Sequence, residues 1–133
     1  MKPRGLFIGL TTVDIQYLVN TFPKSNSKTI AEKFSMSIGG PATNAAITFS
    51  HLGGKSHLMS VIGENQFTPY IESELQHYNV EFTDLLPLTD QLPTVSSIVT
   101  TQGKGDRAVI TTSSSRKFGQ IDVAFTSNWD DYN

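Results

Sequence analysis

The chain has 133 residues, with 10 Lys+Arg, 12 Asp+Glu, 3 His, no Cys and a formal net charge of −2. That length suits one domain, zero Cys excludes a disulfide scaffold and a cysteine-based zinc site, and the near-neutral charge argues against a nucleic-acid-binding stripe. A 38% hydrophobic fraction is too high for a disordered chain, and no apolar run approaches the ~20 residues of a membrane-spanning helix.

Basic residues at Lys2 and Arg4 precede a short apolar patch, Leu6-Phe7-Ile8-Gly9-Leu10. The patch is shorter than the ~7–15-residue apolar region of a signal peptide and is broken by glycine. It is expected to be a first buried strand, and the expected location is cytoplasmic. Asp14 to Val19 reads as a second strand. Phe22 to Lys28 has loop composition. Lys33 to Ile38 alternates polar and apolar residues, as a strand with one wet face does. Two such strands suggest a small sheet whose exposed face covers something.

Gly39-Gly40-Pro41 opens the best helical segment, with Ala42, Ala45, Ala46, Phe49 and Leu52 at helical spacing. Pro41 suits the first helical position, and Gly53-Gly54 suits its stop. Lys55 to Ile62 reads as a buried strand, so strand, helix and strand form a βαβ unit with a parallel sheet. Thr68-Pro69 is expected to cap and start a second helix through Ile71, Leu75 and Tyr78. Glu72 and Glu74 would sit near its positive end, and Asn79 would stop it. Thr94–Val99 and Arg107–Thr112 read as a hairpin joined through Gln102–Asp106. Residues 113–120 read as loop. Residues 121–133 carry no end signal and read as a chain stopping where another strand is due, with Trp129 and Tyr132 belonging to packing the chain does not complete.

Two glycine-rich segments are decoys. Gly54-Lys55-Ser56 resembles the end of a phosphate-binding loop, but Phe49 stands where that motif needs glycine, and here a helix leads into a strand. Gly103-Lys104-Gly105-Asp106 precedes a strand-like run, so no helix start awaits an anion there. His51, His57 and His77 lack metal-site spacing, and no metal site is expected.

The informative segment is Ile38 to Gly63. Adjacent glycines let backbone approach a ligand, a helix start offers free N–H groups and a positive dipole end, and Asn44 can donate and accept hydrogen bonds. That chemistry suits a hydroxyl-rich small molecule such as a sugar. It equally describes a tight strand-to-helix turn with Asn44 bonded to backbone.

Gly39-Gly40-Pro41-Ala42-Thr43-Asn44-Ala45-Ala46, followed by Gly53 and Gly63, resembles the first signature of the ribokinase-like, or PfkB, carbohydrate kinases. Asp14, after Gly9 to Val13, falls where that family places an Asp just past its first strand. The resemblance covers roughly residues 5–112. It implies a Rossmann-like three-layer α/β/α fold, present here as an N-terminal half, with a small β-sheet lid from about 14–38 and 94–112. Residues 1–133 would then be a single partial domain. Asp14, Gly39, Gly40 and Asn44 match positions that bind sugar hydroxyls, and Arg107 is similar to an arginine that some members carry near the phosphate. Pro41 stands where ribokinases often have Lys, so the sugar need not be ribose. Members of the family are about twice this length. Their catalytic Asp and their MgATP site lie in a C-terminal half with no counterpart in this sequence. The resemblance therefore implies the sugar-binding part of an ATP-dependent sugar kinase, inactive alone. Its partners would be a sugar, the missing half, and a second copy through the lid sheet or an exposed edge, with no nucleic acid and no membrane. The alternative is a non-catalytic sugar-binding or partner-binding short protein. A Rossmann-type nucleotide binder is weaker, because its glycine triplet spacing is missing.

Overall fold

The computed structural model describes residues 1–112. The expectations for the 113–120 loop, for the 121–133 tail and for Trp129 and Tyr132 lie outside the described residues.

In chain order the elements are β1 (Arg4–Ile8), β2 (Thr12–Val19), β3 (Lys33–Gly39), α1 (Pro41–His51), β4 (Lys55–Ser60), α2 (Thr68–His77), β5 (Val80–Asp84), β6 (Thr94–Thr101) and β7 (Arg107–Thr111). They build two sheets. The first has order β1-β4-β5, all parallel, with α1 and α2 as its crossovers. The second has order β3-β2-β6-β7. In it β2 pairs antiparallel with β3 and parallel with β6, and β7 returns antiparallel on β6.

The alternation read in the sequence sets which face of each strand is dry. Leu58 of β4 stands in register between Phe7 of β1 and Phe82 of β5. That row packs with Ala46 of α1 and with Ile71 and Leu75 of α2. Leu58, Ile71 and Leu75 are fully buried, each contributing about 1.5–3 kcal/mol on leaving water. The core continues into the second sheet through one row, in which Val13 of β2 pairs with Ile38 of β3 and Val95 of β6. The two sheets are thereby joined at the start of β2.

Both helices end with backbone bonds folding back onto carbonyls of their last turn. After α1, Gly53 at φ +94 donates its N–H to the Ser50 carbonyl (2.9 Å) and Gly54 donates to Phe49 (3.0 Å), a Schellman motif. After α2, Asn79 at φ +55 donates to Gln76 (3.0 Å), so the expected asparagine stop is present. The Ser50 hydroxyl on α1 donates to the carbonyls of Tyr78 (2.8 Å) and Asn79 (3.2 Å), tying the two helices together.

Three expectations need correction. Thr68 is the first residue of α2, and its cap is Phe67. The Thr68 hydroxyl instead donates to the Gly63 carbonyl (2.7 Å) and accepts from the Asn65 N–H (3.0 Å), which closes the entry loop. Glu72 and Glu74 miss the first turn of α2, which holds no acidic residue. Finally, β5 was not anticipated, and β4 ends at Ser60. Beyond it the Asp84 carboxylate accepts the N–H groups of Ile62 (3.1 Å), Gly63 (2.8 Å) and Leu86 (3.1 Å), so a side chain replaces the ladder partner.

Candidate functional site

Since Val13 is committed to the core, its neighbours Thr12 and Asp14 face the other side of the second sheet. Register extends that face across four strands. Thr12 stands between Gly39 and Thr94, and Asp14 between Ser37 and Ser96, with Thr111 beyond Ser96. The Asp14 carboxylate is partly exposed and accepts a hydrogen bond from the Thr12 hydroxyl at 3.3 Å. Gly39 leaves the space the carboxylate occupies, because a Cβ there would fall on Asp14 Oδ2.

Gly40 then swings the chain from β3 into α1 with φ +99 and ψ 148. L-residues avoid that region, and a Cβ would also strike the Leu10 carbonyl oxygen. Pro41, first in the helix, has no N–H to offer. The Asn44 N–H is already bonded to the Gly40 carbonyl at 2.9 Å. The backbone donors left open by the helix geometry are those of Ala42 and Thr43. The Asn44 side chain is exposed and makes no hydrogen bond to any described residue.

Behind this turn lies a hydroxyl cluster that sequence reasoning missed. Thr11 Oγ1 is 3.1 Å from Thr43 Oγ1 and 2.7 Å from Ser60 Oγ, and all three residues are fully buried. Thr11 joins β1 to β2, Thr43 is in the first turn of α1, and Ser60 ends β4. The cluster pins the helix start to both sheets. Its signal in the sequence was faint, since Ser and Thr are also the commonest surface polar residues here.

Asp14, Gly39, Gly40 and Asn44 are thus brought to one end of the second sheet and the adjoining helix start. Arg107 is not brought there. It shares the face of Asp14 but lies in the row of Thr100, Leu18 and Lys33. That row is four residues along β2, about 13 Å at ~3.3 Å per residue. His57 bonds Thr83 at 2.8 Å, while His51 and His77 occupy last helical turns. Among the described residues no group of three or more His, Asp or Glu could hold a metal ion. No described helix is long and apolar enough to cross a membrane.

A parallel sheet with helical crossovers, joined to a second sheet that carries a carboxylate beside a glycine turn into a helix, is an α/β scaffold. The family model described as pfkB family carbohydrate kinase matches residues 3–129, and the chain belongs to that family. Solved structures show the same ribokinase-like fold. Ribokinase from Cryptococcus neoformans var. grubii, in complex with ADP, is similar with TM-score 0.68 and 12% identity over 96% of this chain and 39% of that one. A carbohydrate kinase from Agrobacterium tumefaciens matches with TM-score 0.67 and 18% identity over 84% of this chain and 35% of that one. A nucleoside kinase from Methanocaldococcus jannaschii matches with TM-score 0.65 and 21% identity over 84% and 36%. The chain therefore spans little more than a third of the length of these solved structures.

Proposed function

We propose that this chain supplies the acceptor-binding platform and lid sheet of an ATP-dependent carbohydrate kinase. The observation that carries the reading is the Asp14 carboxylate, held by Thr12 and set against Gly39 at the glycine turn into α1. A carboxylate accepts hydrogen bonds from adjacent hydroxyls and fixes which hydroxyl is presented. Gly39 and Gly40 let the acceptor lie close to backbone, and Asn44 holds a further hydroxyl. Arg107 stands four residues along the sheet from the row of Asp14. MgATP would be held by other residues, where it supplies the phosphoryl group. Phosphoryl transfer depends on positioning and charge stabilisation around that group, so the chain alone binds acceptor without turning it over.

The test is equilibrium binding of a panel of sugars and nucleosides to the 133-residue chain, followed by assay with MgATP. At least one compound is expected to saturate, with no transfer above background. Asp14→Asn is expected to weaken that compound roughly tenfold or more, because hydrogen bonds to a charged group are worth about 1.5–3 kcal/mol. A panel without a single binder, or turnover by the purified chain, defeats the reading.

The opposite face of the second sheet favours pairing with a second copy. It exposes Phe34 (63%) and Ile110 (76%) together with Met36 (37%), all on the side away from Asp14. Apolar side chains of this size in one patch favour association. Sedimentation equilibrium is expected to give a dimer that Phe34→Asp converts to monomer, and a wild-type monomer at all concentrations overturns the pairing.

A further inference from the structure

We infer that the free edge of β5, with the groove between it and α2, is a docking site for an extended basic segment of a partner protein, taken up by strand addition. The site lies on the first sheet, apart from Asp14 and the turn into α1.

β5 ends the order β1-β4-β5 and pairs only with β4 among the described residues. The backbone groups of successive strand residues point alternately to the two sides. Just past β5, the Leu85 N–H donates to the Ser60 carbonyl of β4 at 2.8 Å. Counting back by twos, Thr83 and Glu81 turn their backbone groups toward β4 as well. The N–H and carbonyl of Phe82 therefore point outward, as do those of Val80, and no described residue takes them up. An extended segment laid along this edge meets a ready donor and acceptor at Phe82, and strand addition of this kind draws its affinity from such main-chain bonds.

The groove sets the chemistry of the segment. Its volume is about 480 Å³, and it is lined by Glu72 and Gln76, one turn apart on α2, and by Val80, Glu81 and Phe82 of β5. Val80 is buried and Phe82 half-buried, so the surface beside the edge is apolar, while Glu72 and Glu81 are exposed. No lining residue is cationic, and neither glutamate makes a hydrogen bond or ion pair with any described residue. An apolar surface bordered by unpaired carboxylates matches a lysine or arginine, whose stem covers apolar atoms while its charged head stays in water. A strand presents every second side chain to one face, so the fitting segment carries Lys or Arg at alternate positions. An acidic segment meets two uncompensated carboxylates instead. A second copy adding its own β5 would bring the same glutamates to the same groove, which disfavours it as the occupant.

The experiment is titration of the isotope-labelled 133-residue chain with the capped peptide acetyl-Thr-Lys-Val-Arg-Val-Lys-Thr-amide, followed by amide shifts and hydrogen exchange. Saturable shifts are expected along β5 and at Glu72 and Gln76, with slowed exchange of the Phe82 N–H. The peptide with Glu at its three basic positions is expected to bind at least tenfold more weakly. Glu72→Gln combined with Glu81→Gln is expected to weaken the basic peptide about three- to tenfold, the size of two exposed ion pairs. N-methylation of the peptide at its basic residues, or at the residues between them, removes one set of strand-pairing donors and keeps the charge. One of those two peptides is expected to lose at least tenfold through its missing main-chain bonds. Binding of both methylated peptides as tightly as the parent shows attraction by charge alone and overturns the inference. So do shifts centred away from β5, equal binding of the acidic peptide, or no saturation at all. A Phe82 N–H already protected without peptide shows an edge taken by a second copy or another segment, and that result overturns it too.

Discussion

Gly40→Ala is expected to lower the stability of the chain by about 3 kcal/mol or more. The backbone at Gly40 holds φ +99 and ψ 148, a region that costs roughly 1–3 kcal/mol for a residue with a side chain. The added Cβ would also meet the carbonyl oxygen of Leu10. That oxygen belongs to the backbone between β1 and β2, so relief requires the two sheets to shift against each other. The strain cannot be released by rotating a flexible side chain. Stability is a small difference between large terms, and a loss of this size is a large share of the ~5–15 kcal/mol typical of a domain. Urea unfolding followed by circular dichroism measures it, and a change below about 1 kcal/mol contradicts the geometry.

Thr11→Val carries the second large effect. It replaces a hydroxyl by a methyl of similar size, so the loss comes from missing hydrogen bonds and not from a cavity. The loss falls on Thr43 and Ser60, both fully buried and both left short of a partner. An unsatisfied buried polar group costs about 1–3 kcal/mol, which places the expected loss at about 2–4 kcal/mol. The cluster spans the β1–β2 connection, α1 and β4, so the effect includes looser anchoring of the α1 start. Combining Thr11→Val with Thr43→Val is expected to cost less than the sum of the two, since one change already strands the other hydroxyl. Strict additivity in a double-mutant cycle sinks the claim that the hydroxyls act as a unit.

Much of the scaffold was legible from local pattern. Pro41 and Gly53-Gly54 bracketed α1 because a proline at the start and a glycine stop are backbone requirements that need no tertiary context. The alternation in Lys33–Ile38 and the glycine turn before Arg107 likewise announced β3 and β7. β5 was missed although Val80-Glu81-Phe82-Thr83-Asp84 alternates, because five residues between an asparagine stop and a loop carry little periodic signal. The role of Asp84 beyond β4 was hidden for another reason, as its three N–H partners come from distant or loop backbone. In the site, the family signature singled out Asp14, Gly39, Gly40 and Asn44, and the turn brings them to one place. Ser37, Ser96 and Thr111 gained meaning only from strand register, which sets neighbours that sequence spacing cannot. Arg107 shows the converse: its strand was readable, but its row on the sheet was not.

The parallel pairing of β2 with β6 constrains how the molecule comes together in time. Thr12 finds its partner at Thr94 only after the whole β3-α1-β4-α2-β5 segment has been made. Until then the inner edge of β2 presents unpaired backbone groups, while β1, β4 and the two helices can already close around Leu58. The row around Asp14 is therefore among the last features of the described residues to form on a ribosome. β6 supplies Ser96 to that row late, and until it arrives the emerging chain is open to strand-edge association at β2.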